Sequence, residues 1–466
     1  MQIPILNGIF TDTNPEFRTA YPHNLVPVPK QQGISAGYLR PADGLVEFSA
    51  GVGGDRGAIV WLGECYRVQG TSLIKVLSDG SITVIGDVGS GDHAIFDYSF
   101  DYLAVASGGR LYLYDGTTLT QNVDPDLGVV LSFIWIDGYF LATDGESLVV
   151  TELADPFAVN PLKYGSSEID PDPVNSVLEL RNEVYAVNSN SIEVFTNVGG
   201  TGFPFQRIEG AQIQKGSVGT HAAVVYDKKI AFVGGERNEP PSVYVAISGQ
   251  DEKISTAEVD TILQSYTAEQ IANIELEARR DRSHNWLYIH LPDQTLVYDI
   301  EASKALEQNV WFTLSGGITT KTQYPARHFV WCYDKWLAGD PDTGKIAETS
   351  HSVSTQFGEE VLWDFNVGIL YNEGNGAIIH RLELVCLTGQ VALGVNPVVS
   401  TQYSIDGITW SQSLAIPAGQ QGDRAARLAW LRQGSFKNWR TQRFSGSTDA
   451  HLTIVRLEAT IEGLAV

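Results

Sequence analysis

Two neighbouring stretches, Ser265-Tyr-Thr-Ala-Glu-Gln270 and Ile289-His-Leu-Pro-Asp-Gln-Thr-Leu-Val-Tyr-Asp299, decide how the chain is read. Val259, Ile262, Leu263 and Tyr266 recur at helical spacing, so one short helix ends at the first stretch. Thr267 then caps a second turn whose third residue is Gln270, the pairing of a capping box. The second stretch is a hairpin: Leu287-Tyr-Ile-His-Leu and Thr295-Leu-Val-Tyr alternate aromatic and branched residues around Pro292-Asp-Gln. One helical insert, near 255–278, between hairpins predicts an all-β architecture with a single decorated connection.

Outward from there the hairpin recurs. First-strand markers stand at Tyr66, Leu103, Phe140, Tyr185, Ala231, Tyr288 and Trp336, so successive markers are 37 to 57 residues apart. The longest interval is the one that holds the helical insert. A hairpin-bearing unit of about 40 to 50 residues is the mark of a β-propeller blade, and flanking strands such as Ala58–Leu62 and Ile82–Ile85 complete a four-stranded sheet. Seven markers predict about seven blades over residues 34–350, or six if one unit is peripheral. Gly37-Tyr-Leu-Arg40 and Leu45-Val-Glu-Phe48 read as a further hairpin around Pro41–Gly44, and these early strands are expected to join those near Phe329–Cys332 and seal the ring.

The rhythm changes near residue 351. Val361–Phe365, Ala377–Cys386, Ser400–Ser404 and His451–Thr460 are longer alternating strands, which predicts a C-terminal antiparallel β-sandwich over 351–466. At the other end Pro22, Pro27 and Pro29 interrupt any periodicity, so residues 1–33 read as an extended arm.

Composition agrees. Forty-six glycines, 19 tyrosines, 18 phenylalanines and 10 tryptophans beside a single methionine favour strands and turns. No apolar run approaches the roughly 20 residues of a membrane-spanning helix, and the N-terminus lacks the basic and apolar regions of a secretory signal. Cys65, Cys332 and Cys386 are odd in number and far apart, which fits buried thiols made in a reducing cytoplasm. A net charge of −24 argues against nucleic-acid binding, because affinity for phosphate comes from Lys and Arg releasing counterions.

Motifs for chemistry are weak. Gly51-Val-Gly-Gly-Asp-Arg-Gly57 lacks the Lys-Ser/Thr of a phosphate loop and reads as a turn between blades. Asp340-Pro-Asp-Thr-Gly344 and the acids of Glu168–Pro173 lack the ligand count of a calcium loop. Ser404-Ile-Asp-Gly-Ile-Thr-Trp410 is similar to the Asp-box turn of sialidases, one residue short and outside the repeats. His221, His284, His290 and the other six histidines form no HExxH, and no GxSxG accompanies the serines. No catalytic, cofactor-binding or metal-binding residue, and no cofactor, is expected. The basic cluster Arg424, Arg427, Arg432, Lys437, Arg440 and Arg443 reads either as a solvated edge or as a dock for an acidic partner or a neighbouring subunit.

Gly37–Arg40, Gln214-Lys-Gly-Ser-Val-Gly-Thr220, Pro241-Ser-Val-Tyr244, Ser265–Glu269 and Ile289–Asp299 carry a resemblance, in order, to the packaged-DNA stabilisation proteins of short-tailed bacteriophages, which are tail-hub or tail accessory proteins. The hairpin at Asp406, Gly407 and Trp410 fits that family's last domain. The resemblance implies a non-enzymatic virion subunit, assembled in the host cytoplasm. It implies a homohexameric ring below the portal–adaptor (head-to-tail connector) that retains packaged DNA. The ring would extend the DNA channel and dock a needle or plug and tailspikes or fibres, DNA passing without specific binding and with no membrane anchor. The competing readings are a sugar-active or sugar-binding propeller (a sialidase-like glycosidase or lectin) and a trimeric receptor-binding fibre.

Overall fold

The computed structural model describes residues 2–3, 5–6, 21–30, 35–370, 375–407, 409–437, 439–447 and 452–464. Its second strands explain the repeat. Glu64–Gln69, Leu103–Ser107, Tyr139–Thr143, Glu183–Asn188, Lys229–Gly235, His284–His290 and Lys335–Gly339 each hold one of the seven markers, and each is the second strand of its own sheet. Leu103–Ser107 is buried throughout and Glu183–Asn188 nearly so. A strand covered on both faces by neighbouring sheets reads as a continuous apolar run rather than an alternation.

Seven antiparallel sheets result. Asp55–Trp61, Ala94–Tyr98, Ser132–Ile136, Val174–Leu180, Gly216–Ser217 with Ala223–Tyr226, Glu275–Asp281 and Arg327–Cys332 are their respective first strands. The last sheet is completed from the other end of the chain, with Gly44–Ser49 beside Ile346–Ser350. Gly44–Ser49 therefore closes the propeller as expected of Leu45–Phe48. Gly37–Pro41 does not: it pairs with Leu25–Pro29 and with Thr453–Gly463 in another sheet, so 37–48 is not a hairpin.

The chain forms two compact units that interleave in sequence. One spans residues 47–279 and 325–348; the other spans 1–46, 280–324 and 349–466. The first unit, called the ring unit below, holds sheets 1 to 5, the opening strand of sheet 6 and most of sheet 7. It has no single core. Separate apolar clusters fill the wedges between successive sheets: Trp61, Val68, Leu103 and Tyr112 between sheets 1 and 2, Leu111 and Phe133 between 2 and 3, Leu141 and Val184 between 3 and 4, and Tyr185 and Phe232 between 4 and 5. Cys65 and Ile74 meet Cys332 and Leu337 between sheets 1 and 7. Each four-stranded sheet thus depends on its neighbours for burial.

The second unit, called the sandwich unit, is built around two facing sheets. Leu362–Leu370, Trp439–Ser447, Val398–Ser404 and Leu414–Pro417 make one. Leu25–Pro29, Gly37–Pro41, Thr453–Gly463, Ala377–Leu387 and Leu428–Leu431 make the other, joined at its margins by Gln2–Ile3 and Ser435–Phe436. Ile3, Leu25, Trp363, Phe365, Phe444 and Leu457 share one continuous core. Of the expected extended arm, Gln2–Ile3 and Leu25–Pro29 are strands of this sandwich. Residues 1, 4, 7–20 and 31–33 of the expected arm, and His451 of the expected last strand, lie outside the described residues.

The stretch that opened the reading folds much as its residues dictate. Helix α1, Ala257–Gln264, buries Val259 and Leu263; helix α2, Ala268–Ala272, begins with the Thr267/Gln270 capping box. His284–His290 and Thr295–Asp299 form the hairpin. A third helix, α3 at Ile300–Leu306, was not anticipated; Asp299 caps it by accepting from the Glu301 and Ala302 amides.

Candidate functional site

The first strands of sheets 7, 1, 2, 3, 4 and 5 touch one another in succession. Charge gathers there within the ring unit. Asp55 opens the first strand of sheet 1, Glu275 that of sheet 6, Arg327 and His328 that of sheet 7, and His93 directly precedes that of sheet 2. Arg67, on the second strand of sheet 1, donates from Nε and Nη2 to the Asp55 carboxylate at 2.6 and 2.9 Å, with both side chains fully buried. Gln69 donates a third bond at 3.1 Å. His328 Nδ1 stands 2.6 Å from Asp55 Oδ1, and His328 Nε2 stands 3.0 Å from Glu275 Oε1. Arg327 at 3.3 Å and His93 Nδ1 at 3.8 Å approach Glu275 Oε2. The rings of His93 and His221 lie 4.2 Å apart, centroid to centroid.

Burial and pairing set the protonation of this group. Burial opposes charge on His328, but Glu275 and Asp55 outweigh it and push the imidazole pKa up to about 10. Burial likewise opposes ionised Asp55, yet Arg67 and His328 hold it below the usual carboxylate range. Glu275 is held well below that range despite its burial, chiefly by His328. For His93 and His221 desolvation outweighs the pull of Glu275 and lowers the pKa, that of His221 to about 4. The cluster opens to a cavity of about 490 Å³ lined by Asp55, Arg56, Asp92, His93, Arg327 and His328 among others.

A glycosidase needs one carboxyl group that stays protonated as a general acid. Asp55 and Glu275 are both driven toward ionisation, so this pair does not supply one.

The residues singled out in the sequence fall elsewhere. Gly51 takes φ of 71°, and a Cβ there would stand 1.8 Å from the Gly344 carbonyl, so the glycine-rich loop is a close backbone approach and not a phosphate cradle. Asp340 folds its own turn, accepting from the Asp342 amide at 2.9 Å and from the Thr343 hydroxyl. Asp170 pairs with Arg237, and Asp172 accepts from the Asn190 amide. Asp406 accepts from Ser404 and from the Thr409 amide, while the Arg443 guanidinium lies over Trp410; this is a turn lock. His284 pairs with the capping Asp299 at 2.5 Å, and His290 with Thr295 at 3.0 Å. The three cysteines are free thiols.

The basic cluster disperses. Arg440 is fully buried, donating to the Gln433 carbonyl and Gln442 and lying over Tyr403. Arg443 binds Asp364, and Arg427 grips Glu383 with two bonds. Arg424, Arg432 and Lys437 stay exposed.

With propeller and sandwich in view, the comparisons discriminate. The family model described as "Bacteriophage P22 Gp10, beta-propeller" matches residues 1–354, and "Bacteriophage P22 Gp10, beta-sandwich" matches residues 362–462. The chain belongs to the phage P22 Gp10 family. A member of that family, the tail hub protein gp10 of Salmonella phage P22, is 27% identical over 460 residues, covering 94% of each chain. Solved structures with looser likeness include BamB from Moraxella catarrhalis (11% identity, TM-score 0.38, 70% of this chain and 94% of that one). The WD40 domain of Pan2 from Neurospora crassa is another (9% identity, TM-score 0.40, 66% of this chain and 95% of that one). The two family models match this chain in the order propeller, then sandwich.

Proposed function

We propose that this protein is the tail-hub subunit of a short-tailed phage virion. Six copies would assemble as a ring below the portal–adaptor, extend the DNA channel, retain the packaged genome and dock a needle or plug and tailspikes or fibres. The observation that carries this reading is the match to both Gp10 family models, which together run from residue 1 to 462, with a tail hub protein as a relative over nearly the whole chain. In this reading the seven sheets between Gly44 and Ser350 supply the propeller, and residues 351–466, joined by Leu25–Pro29 and Gly37–Pro41, supply the sandwich.

Two physical points support a mechanical role. Six copies multiply a charge of −24, and phosphate gains little by adhering to an acidic wall. The buried carboxylates of the ring unit are locked to cations rather than poised for turnover. Electron microscopy of the protein mixed with portal–adaptor complexes tests the assignment. A six-fold ring appended to the connector is expected; a chain that stays monomeric, ignores the connector and hydrolyses or binds glycans would instead make it a sugar-active propeller.

A further inference from the structure

The geometry points to a divalent-metal site of the zinc class, formed by His93 Nδ1, Glu275 and His328 Nε2 in the ring unit. These three donors lie within 4.8 Å of one another. His328 Nε2 is 3.0 Å and His93 Nδ1 3.8 Å from the two oxygens of the same Glu275 carboxylate. Zinc holds nitrogen and carboxylate ligands at about 2.0–2.2 Å, which places tetrahedral neighbours about 3.4 Å apart. The observed separations bracket that value, so an ion needs only side-chain adjustment to enter.

Two further observations favour a ligand over a bare ion-pair network. His93 Nδ1 is a buried atom that makes no hydrogen bond, and His328 Nε2 meets Glu275 as a 3.0 Å ion pair without hydrogen-bond geometry. A buried polar atom left unsatisfied is costly, and a metal bond removes that cost for His93. The far nitrogen of His328 is already positioned by Asp55 at 2.6 Å, and Asp55 in turn by the paired donors of Arg67. A carboxylate behind a histidine ligand fixes the ring and raises its basicity, which is the usual outer arrangement of zinc histidines. A metal on Nε2 takes the place of the proton that the carboxylates otherwise hold there, so binding releases a proton.

Two histidines and one glutamate leave a fourth position, and the cavity of about 490 Å³ meets the cluster where water or an anion would occupy it. The donors come from the entries to sheets 2, 6 and 7. The ion therefore acts as a clamp on strand ends that no backbone ladder joins.

Cobalt(II), a spectroscopic stand-in for zinc, tests this on the full chain after chelator dialysis at pH 8. The expected result is one saturable equivalent per chain, with the strong visible absorption of four- or five-coordination, displaced by zinc and accompanied by a rise in melting temperature. His93→Ala and His93→Gln remove a ligand at the cavity edge and are each expected to weaken binding by at least about tenfold, the least that loss of even an outer partner costs. Their melting temperature without metal should stay near the wild-type value. His351→Ala, in a separate group with Asp43 and Asp281, should bind as the wild type does. Absence of saturable uptake, a weak spectrum like that of the hydrated ion, uptake unchanged in the His93 variants, or uptake abolished by His351→Ala would each overturn the site.

Discussion

The ring unit and the sandwich unit bury apolar surface in different ways. In the sandwich unit two facing sheets share one continuous core, into which the N-terminal Ile3 and Leu25 are drawn. In the ring unit the core is cut into wedges between successive sheets, and the seam between the last and first sheets carries Asp55, Arg67 and His328 beside its apolar cluster. A continuous core fails as a whole, whereas a segmented one fails at its weakest seam. Ring closure here depends on charge as well as on oil.

The largest expected break is at that seam. Asp55→Ala leaves Arg67 buried without its counter-ion and His328 with Glu275 alone, and removing one partner of a buried pair costs about 3–5 kcal/mol. Hydrogen exchange should show protection lost first in Glu64–Gln69 and Lys335–Gly339 and kept in Ala377–Leu387. Equal loss in the sandwich strands would erase the contrast between units.

Phe444→Ala, at the centre of the sandwich core against Phe365 and Trp430, should cost about 3–5 kcal/mol and weaken both sandwich sheets together. Leu111→Ala, in the wedge between sheets 2 and 3, should cost about 2–5 kcal/mol with its effect confined to those sheets. Exchange rates read strand by strand distinguish the two patterns.

Acidity sharpens the comparison further. His328, with its pKa raised to about 10, adds stability that is complete below its unfolded value of 6.5 and lost as pH climbs toward 10. His221, depressed to about 4, acts oppositely: the ring unit weakens as pH falls from 6.5 toward 4, because the buried imidazole must then be charged. Thermal unfolding of metal-free protein should therefore be most resistant near pH 6.5. His221→Gln should flatten the acid side and leave the alkaline side unchanged.

The smallest effect is at the helical insert. Thr267→Ala removes the capping box of α2 and should cost about 1 kcal/mol, seen as a modest shift in denaturant midpoint. A shift as large as that of Asp55→Ala would mean the insert braces a seam.

The ring was readable because its hairpins recur at intervals of 37 to 57 residues, and because a strand covered on both faces, such as Leu103–Ser107, is apolar along nearly all its length. The turn types helped: Thr267 and Gln270 met as their spacing required. The strand Trp439–Ser447 escaped notice because its interior places Arg440 and Gln442 inside the fold, where periodicity counts them as surface. The same arginines inflated a basic cluster that the structure takes apart. Gly37–Pro41 and Gly44–Ser49 looked like a hairpin because a Pro-Ala-Asp-Gly turn separates them, but local turn chemistry cannot reveal that each has a distant partner. Helix α3 had a legible signal in Asp299, the capping acid before Ile300. The cluster of His93, Glu275 and His328 had none, since donors so widely separated in the chain acquire meaning only when the sheets bring their strand ends together.

Gly44–Ser49 completes a sheet whose other strands are made roughly 300 residues later, and this has a consequence for biosynthesis. The segment leaves the ribosome roughly 300 residues before Ile346–Ser350, a delay of some tens of seconds at ordinary elongation rates. During that interval an edge able to pair with any strand is without its partner, which is the situation in which nascent chains aggregate or exchange segments. Glu47, a charged residue on that strand, is the kind of gatekeeper that keeps a waiting edge soluble. The longer this strand waits for Ile346–Ser350, the longer each nascent copy is exposed to that exchange.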